Sequence, residues 1–363
     1  MSKNLVQDGY SGADKLAIPQ GFGMGSKSLA VVITTIQEPT ECVRHLAIAV
    51  NRVDGLIIVV GDKKGPARFD IQGAELISLE EQLRLPLALS RLLPTGHYAR
   101  KNLGYLIAIR RGAACIYETD DDNAPGDGWH PRTLCTDAQC VETRSWLNVY
   151  RLFSDQLIWP RGFPLNLVRD GATWRHDPAA PLVLVESPIQ QGLVDRSPDV
   201  DAVWRLILDR EFTFTRRPSV WLPPGTWCPF NSQSTWWLPP AYPLMYLPSG
   251  CSFRMTDIWR SFIAQRCLWE MGFGVVFHAA EVVQDRNAHN LMRDFQDETP
   301  GYEGNERLVK TLAQTRLEAG ADATGDNLRR CYQALVAEQF FPPEELARVD
   351  AWLQDLKSLT QPA

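Results

Sequence analysis

The sequence lacks the features that mark membrane-spanning, secreted and nucleic-acid-binding proteins. No apolar run approaches the roughly 20 residues needed to cross a bilayer, and no basic stretch followed by an apolar core predicts a secretory signal. The eight cysteines contain no CxxC pair, which argues against a zinc site and favours free thiols in a reducing compartment. The net charge of −6 lacks the basic excess of a nucleic-acid-binding protein. We therefore expect a cytoplasmic protein with no nucleic-acid partner and no transmembrane segment.

What the sequence does contain is an ordinary globular composition, with 45% hydrophobic and 22% charged residues over 363 positions. Three regions differ in pattern. Residues 1–27 are rich in Gly, Ser, Lys and Asp without periodicity, which predicts a flexible N-terminal arm. Residues 28–300 hold the strand-like segments and are predicted to form one domain. Residues 301–363 carry apolar residues at helical spacing, which predicts a C-terminal helical appendage.

Strands and helices alternate in the first half of the chain. A helix is predicted between Gly96 and Gly112, where apolar residues recur at helical spacing and Gly112 provides a stop. Apolar runs rich in β-branched residues predict strands at 29–36, 56–60, 75–77 and 114–119. Near-continuous apolar strands alternating with helices are typical of a parallel sheet covered on both faces. The predicted fold class is therefore α/β, with a Rossmann-like, mostly parallel sheet flanked by helices.

Polar residues follow three of these strands at the point where each one ends. Thr34 and Thr35 close the first strand, and Asp62 follows the second. Asp120, Asp121 and Asp122, called the acidic segment below, follow the strand at 114–119. Ligands of parallel sheets bind at the carboxyl ends of the strands. We therefore expect these side chains to surround one site.

Three consecutive aspartates after a buried strand repel one another unless a cation lies among them. Mg²⁺ and Mn²⁺ prefer carboxylate oxygens and often bridge to substrate phosphates. An isolated run of this kind is more often a solvated acidic turn, but the preceding strand and helix reverse that preference. The sequence therefore predicts a divalent-metal site.

Six blocks of sequence keep their order between residues 29 and 300: 59–64 (VVGDKK), 100–105 (RKNLGY), 117–123 (YETDDDN), 159–165 (WPRGFPL), 229–234 (PFNSQS) and 254–260 (RMTDIWR). Together they resemble the STELLO-like glycosyltransferase family, which implies a GT-A fold and a nucleotide-sugar donor. More distantly, the acidic segment and residues 199–202 (DVDA) resemble the plant reversibly glycosylated polypeptides, which are nucleotide-sugar mutases.

The resemblance implies roles for the acidic segment and for one histidine. Asp120 and Asp122 match the outer acids of the family's metal-binding DxD motif, and Asp121 is expected to contact the sugar or ribose. A later histidine completes the metal shell in GT-A enzymes. His278 has the expected place in the chain order, and His289 is the competing candidate; a structural role for His278 is equally compatible with its position.

Other residues are expected to bind the nucleotide-sugar. The resemblance implies that Thr34, Thr35 and Asp62 bind the nucleotide base and ribose. Arg100 and Lys101 begin a predicted helix, whose charge and free backbone donors suit a diphosphate, although a solvated basic helix end is the alternative. Arg161 is expected to reach the phosphates or the donor sugar.

Asp257 is the candidate catalytic base. An inverting transfer needs a carboxylate that takes the proton of the acceptor hydroxyl, and GT-A enzymes place it at the start of a helix beneath the acceptor. Asp257 opens a predicted helix at 258–271. The alternative is an ordinary helix N-cap, in which case a retaining mechanism stays open.

The resulting functional prediction is a metal-dependent glycosyltransferase that uses Mn²⁺ or Mg²⁺. It would move a sugar from a UDP-linked donor to a hydroxyl acceptor on a glycan. A nucleotide-sugar mutase and a non-catalytic scaffold that retains the fold are the alternatives. Eukaryotic members of the family have a membrane span that this sequence lacks. Peripheral association with the inner face of the membrane, through the C-terminal helices or a partner, stays open.

Overall fold

The computed structural model describes residues 28–143, 145–170, 177, 179–287 and 289–360. The predicted N-terminal arm, residues 1–27, lies outside the described residues. The strands are β1 Leu29–Thr34, β2 Leu56–Val60, β3 Ala74–Ile77, β4 Cys115–Thr119, β5 Asn123–Pro125, β6 Cys135–Cys140, β7 Val183–Glu186, β8 Ile189–Asp195, β9 Val220–Leu222, β10 Ser234–Trp237 and β11 Val275–Gln284. The helices are α1 Glu41–Arg52, α2 Leu79–Arg84, α3 Ala88–Leu92, α4 Lys101–Arg110, α5 Leu167–Asp170, α6 Ala202–Ile207, α7 Thr256–Glu270, α8 Leu291–Gln314, α9 Thr324–Ala337 and α10 Glu344–Thr360.

One half of the sheet is parallel and contains the four strands that the sequence predicts in the first half of the chain. Their order is β3-β2-β1-β4. Val31 in the central strand β1 pairs with Ile57 of β2 on one side and with Tyr117 of β4 on the other. The side chains of β4 are all buried. Burial on both faces explains why these strands read as continuous apolar runs instead of alternating ones.

The other half of the sheet mixes directions. β10 lies antiparallel to β4, and the order continues through β8, β11, β9, β6 and β7, while β5 pairs with the end of β11. β8 and β11 are parallel to each other. The α/β class with a sheet flanked by helices is confirmed. The antiparallel β10 has a local consequence: its first residues lie opposite the last residues of β4, directly beside the acidic segment.

Helix α4 packs very closely against the parallel half of the sheet. A Cβ atom at Gly104 would lie 2.5 Å from Val32 Cγ1 and 2.7 Å from Val60 Cγ2. Side chains do not approach that closely, so only glycine allows this contact. The close approach places the first turn of α4, with Lys101, next to the end of β4.

The C-terminal helices α8, α9 and α10 are amphipathic, as their apolar spacing predicts, and they extend the main core. Leu308, Leu335 and Trp352 belong to the same buried cluster as the residues of α4 and α7. Asp355 of α10 accepts hydrogen bonds from the backbone of Ala88 and Leu89, at 2.8 and 2.9 Å. The predicted boundary at residue 300 falls inside α8, and an independent appendage stays a prediction. Among the described helices, none is long and apolar enough to cross a bilayer.

Candidate functional site

A cavity of about 810 Å³ opens at the carboxyl ends of β1, β2 and β4. It brings together most of the side chains that the sequence singles out, although they are distant in the chain. The predicted residues that line it are Thr34, Thr35, Asp62, Arg100, Asp120, Asp121, Asp122, Arg161, Asp257 and His289. Lys101 lies directly behind this lining, and His278 lies elsewhere.

Two members of the acidic segment are held by neighbouring side chains. Asp120 Oδ1 accepts hydrogen bonds from the Tyr98 hydroxyl at 2.8 Å and from Lys101 Nζ at 3.1 Å. Asp121 Oδ2 accepts from the Thr35 hydroxyl. Burial raises the pKa of Asp121, and the hydrogen bond from Thr35 offsets part of that rise. Thr35 is thus placed to position a carboxylate at the end of β1.

Asp122 is the incompletely paired carboxylate of the acidic segment. Its Oδ2 accepts a hydrogen bond from Gln284 Nε2 at 3.0 Å, but its buried Oδ1 has no partner within the part of the chain that the structure describes. Burial, reinforced by the charge of Asp120, raises the pKa of Asp122 to about 7. A buried carboxylate oxygen without a donor is costly, and a divalent cation would satisfy it.

The donor set of the acidic segment fits a divalent ion that shares its ligands with a substrate. Within the described residues, no three His, Cys, Asp or Glu side chains form a ready-made metal cage. Mg²⁺ is ordinarily held by one or two carboxylates together with water and substrate phosphates. The unpaired Oδ1 of Asp122 and the half-exposed Asp120 match that pattern.

Lys101 begins a chain of hydrogen bonds behind the cavity wall. Its fully buried Nζ donates to the Thr119 carbonyl at 2.6 Å and to the Tyr98 hydroxyl at 2.7 Å, besides its contact with Asp120. The Tyr98 hydroxyl lies 2.7 Å from Ser232 Oγ. Burial, followed by the charge of Asp120, holds the pKa of Tyr98 well above its usual value, so the phenol stays protonated. Lys101 therefore stabilises the acidic segment instead of facing solvent at a helix end.

Asp62 and Arg100 occupy the nucleotide side of the cavity in different ways. The Asp62 carboxylate accepts backbone hydrogen bonds from Lys63, Gly96 and His97, at 2.7, 2.6 and 3.1 Å. It therefore joins the loop after β2 to the loop before α4. Arg100 is 1% exposed, and none of the described residues accepts a hydrogen bond from its Nη2. This buried free donor at the cavity wall suits an anionic ligand.

Arg161, Asp199 and Asp257 form what we call the paired cluster. Arg161 donates to both oxygens of Asp257 at 3.0 and 2.9 Å, and to both oxygens of Asp199 at 2.8 Å each. All three residues are at most 7% exposed. Burial alone would lower the pKa of Arg161, but the two carboxylates outweigh it and raise that pKa well above its usual value.

Asp257 is the second residue of α7, so it is not the helix N-cap, which is Met255. Its Oδ2 also accepts from the backbone and hydroxyl of Ser232, at 3.3 and 3.2 Å. Burial opposes ionisation, yet the adjacent Arg161 outweighs it and lowers the pKa of Asp257. Asp257 is therefore ionised at neutral pH and stands between Arg161 and the end of the chain of hydrogen bonds from Lys101.

A second buried ion pair joins the two elements that carry the predicted chemistry. Arg260, one turn after Asp257 on α7, donates to both oxygens of Glu118 at 2.9 Å each. Glu118 lies on β4, two residues before the acidic segment, and also accepts from Trp237 at 2.9 Å. The start of α7 is thus tied to the end of β4.

The two candidate histidines differ in position. His278 is 3% exposed on β11, and its ring nitrogens contact Ser219 Oγ at 2.7 Å and Gln190 Oε1 at 2.9 Å. The structure does not bring His278 to the acidic segment, because the C-terminal end of β11, with Gln284, is the part of the strand that reaches Asp122. His289 lines the cavity, and its Nδ1 lies 3.1 Å from Asp294 Oδ2.

Several cavity residues escaped the sequence prediction. Tyr98 lies inside the segment predicted as a helix and gave no signal of a binding role, and Ser232 lies inside the block at 229–234 without a role. Arg205, Arg254 and Arg286 also line the cavity. Only Arg254 falls in a block that carries the family resemblance, so the other two arginines could be found from the structure alone.

A family model and two curated proteins that resemble this chain all carry the name STELLO. A family model described as STELLO glycosyltransferases matches residues 254–361. Two curated proteins of Arabidopsis thaliana, named "Probable glycosyltransferase STELLO1" and "Probable glycosyltransferase STELLO2", are each 28% identical to this chain over 90% of its length. The chain is therefore similar to STELLO glycosyltransferases. The STELLO model includes Asp257, whereas the acidic segment lies before it and within the broader similarity to the two relatives.

The similarity covers only part of the length of the STELLO relatives. Each match covers 44% of the Arabidopsis protein, so the chain spans less than half the length of these curated relatives. A solved structure titled "Crystal Structure of a Mycobacterial Protein" is similar at a TM-score of 0.36 and 10% identity, covering 84% of this chain and 75% of that chain. A likeness of that size adds nothing to the account of the fold.

Proposed function

We propose that this chain is a metal-dependent glycosyltransferase that moves a sugar from a UDP-linked donor to a hydroxyl acceptor. The single observation that carries the proposal is the cavity at the carboxyl ends of β1, β2 and β4. It combines an incompletely paired acidic segment, a buried arginine with a free donor and the ionised Asp257. The STELLO similarity supports the same reaction class.

The donor would lie along the nucleotide side, with its diphosphate next to the acidic segment. Asp120 and Asp122 would hold Mn²⁺ or Mg²⁺, and His289 is the histidine available to assist. When bound, the ion would neutralise the charge of the leaving diphosphate. Arg100 would donate its free Nη2 to the nucleotide, and Thr35 would keep Asp121 in position.

Asp257 would accept the proton of the acceptor hydroxyl in an inverting transfer. Its low pKa keeps it in the basic form at neutral pH, but also makes it a weak base, since a base works best with a pKa near the working pH. We therefore assign the larger part of the rate to neutralisation of the leaving group. Arg161 would orient Asp257 through its two parallel hydrogen bonds.

The first test is thermal unfolding with UDP-, GDP-, CMP- and dTDP-linked sugars, each with Mn²⁺ and with chelator. A ligand that binds only the folded state raises the melting temperature, so we expect a Mn²⁺-dependent rise with the UDP-sugars. Asp122→Asn should abolish the Mn²⁺ dependence and the turnover, whereas Asp257→Asn should keep the rise and lose turnover. Asp322→Asn, an exposed acid outside the cavity, is the matched control.

The outcomes separate the proposal from its competitors. Absence of any rise with every nucleotide-sugar would contradict donor binding. Full turnover in Asp257→Asn would remove that residue as the base. Interconversion of the sugar ring without an acceptor, followed by NMR, would identify a mutase instead. The anomeric configuration of the product in the same spectra distinguishes inversion from retention.

A further inference from the structure

A second wall of the cavity carries arginines that the transfer reaction described above does not use. Arg205 on α6, Arg254 just before α7 and Arg286 after β11 all line the cavity. We propose that this wall, called the arginine wall, binds a phosphate group on the acceptor. This inference rests on the proposed function, because it names the chemical class of that reaction's acceptor.

Arg205 is the strongest indication of an anion-binding site. It is 6% exposed, and its hydrogen bond to protein runs from Nη2 to the Pro198 carbonyl at 2.7 Å. Its guanidinium also lies 5.7 Å from the centre of the Trp204 ring. The nearby carboxylate of Asp199 already receives two hydrogen bonds from Arg161. Among the described residues, Arg205 thus has no carboxylate partner and presents free donors to the cavity.

The other two arginines add positive charge beside Arg205. Arg254 pairs with Glu298 at 2.7 Å, and Arg286 contacts Asp294 at a longer 3.3 Å. Burial, followed by the charge of Arg286, lowers the pKa of Arg205 to about 10. Burial, followed by the charge of Arg254, lowers the pKa of Arg286. Arg205 remains charged at neutral pH, so an oxyanion would relieve the repulsion among these cations.

The position of the arginine wall assigns the anion to the acceptor and not to the donor. The donor diphosphate is proposed beside the acidic segment, at the end of β4. Arg205 follows β8, which lies beyond β10 in the sheet order. Arg286 follows β11, whose end reaches the acidic segment through the hydrogen bond from Gln284 to Asp122, so the assignment depends on Arg205. The paired cluster, with Asp257, stands between the two regions through Asp199, which faces both Arg161 and Arg254. A group bound at the arginine wall would therefore lie on the acceptor side of Asp257.

The phosphate could belong to a water-soluble sugar phosphate or to a lipid-linked phosphate. Leu206 and Ile207 follow Arg205 directly and are 44% and 72% exposed, and Met292 at the start of α8 is 58% exposed. Helix α6 packs on α8, where Ala202 N donates to Glu298 at 2.7 Å. Apolar side chains at the edge of the arginine wall would contact a lipid chain, so they provide a way to separate the two sources.

Phosphate binding tests the arginine wall directly. Isothermal titration calorimetry with inorganic phosphate compares the wild type with Arg205→Gln and Arg286→Gln. We expect each variant to bind phosphate about tenfold more weakly, equivalent to ~1.4 kcal/mol. Arg210→Gln, an exposed arginine close in sequence, is the matched control and should bind as the wild type. Equal affinity in the wild type and both variants would overturn the proposal, and the second variant guards against misfolding of the first.

A competition experiment separates failure of this inference from failure of the proposed function. Phosphate should bind equally well with and without saturating UDP and Mg²⁺, and it should still bind to Asp122→Asn. Displacement of phosphate by UDP would show that the arginine wall holds the donor, which overturns the inference while leaving donor binding intact. If the wild type binds phosphate but does not bind UDP with Mg²⁺, the proposed donor is contradicted and the arginine wall is not.

Two further ligands distinguish a lipid-linked phosphate from a water-soluble sugar phosphate. Farnesyl phosphate binding more tightly than glucose 6-phosphate, with the advantage lost in Ile207→Ser and kept in the control Ile48→Ser, would support a lipid-linked acceptor. Equal affinity for both would support a water-soluble sugar phosphate. Glucuronate binding as tightly as either would contradict a phosphate-specific site.

Discussion

The acidic segment and the paired cluster are both rich in buried charge, but they balance that charge differently. In the paired cluster, Arg161 satisfies the oxygens of Asp199 and Asp257 with four hydrogen bonds between 2.8 and 3.0 Å. In the acidic segment, Asp122 has a buried oxygen that no described residue contacts with a hydrogen bond, and its pKa is raised to about 7.

The difference indicates which charged side chains stabilise the fold and which are available to bind a ligand. A carboxylate that the protein satisfies fully contributes to the structure even if it also takes part in chemistry. A carboxylate left without a donor costs stability, and a bound cation would recover that cost. Such local costs are characteristic of functional sites.

The largest expected effect comes from breaking the paired cluster. Arg161→Met would leave Asp199 and Asp257 buried without their partner, and we expect the free energy of unfolding to fall by about 3 to 5 kcal/mol. Chemical denaturation measures the loss. Arg329→Met removes a half-exposed ion pair with Asp350 and should cost only about 0 to 1 kcal/mol. A small loss in Arg161→Met would mean that the cluster contributes little to the fold.

The next largest effect tests whether the acidic segment depends on the ammonium group of Lys101 behind the cavity wall. Lys101→Met would remove a fully buried ammonium that donates to the Thr119 carbonyl, Tyr98 and Asp120. We expect a loss of about 2 to 3 kcal/mol, because these groups would stay buried with fewer donors. Lys310→Met, at an exposed position on α8, is the control and should unfold as the wild type.

Asp122→Asn should stabilise the protein, in contrast to the two changes above. The pKa of Asp122 is about 7 in the folded state, against an ordinary value of 3.8 for an aspartate. The folded state therefore holds the proton more tightly, so the free energy of unfolding falls as pH rises from about 4 to about 7, and the full cost remains above pH 7. The variant should gain about 1 to 3 kcal/mol at pH 8. Thermal unfolding at pH 8 and pH 5 measures the change, and a gain that is equal at both values would contradict this origin.

The smallest effect should come from the hydroxyl that connects the two regions. Tyr98→Phe removes the group between Lys101, Asp120 and Ser232. We expect about 1 kcal/mol of lost stability. If the acidic segment and the paired cluster communicate through this hydroxyl, combining Tyr98→Phe with Arg161→Met should give less than the sum of the separate losses. Additive losses would show that the two regions are independent.

The sequence predicts the parallel half of the sheet well because both faces of it are buried. The strand predicted at 56–60 coincides with β2, and the acidic segment follows β4 as expected. Asp257, which the sequence predicts to open a helix, lies in the first turn of α7. These features depend on local apolar patterns, which a single sequence displays directly.

Contacts between distant segments could not be predicted in the same way. The pairing of Arg161 with Asp199 and Asp257 joins three segments separated by tens of residues. His278 shows the converse: its place in the chain suggested a ligand, but its neighbours are Gln190 on β8 and Ser219 just before β9. Which end of a strand faces the cavity depends on the sheet order, and the antiparallel β10 gives no local signal of its direction.

The glycine at position 104 has an evolutionary consequence. Since a single added carbon would collide with Val32 and Val60, three positions on three separate elements must change together if any one of them enlarges. Relatives with alanine at the position of Gly104 should carry smaller residues at the positions of Val32 or Val60. Where that compensation is missing, the helix equivalent to α4 should lie farther from the sheet, and the lysine equivalent to Lys101 should be displaced with it. Divergence in ligand preference could thus begin at a position that never touches a ligand.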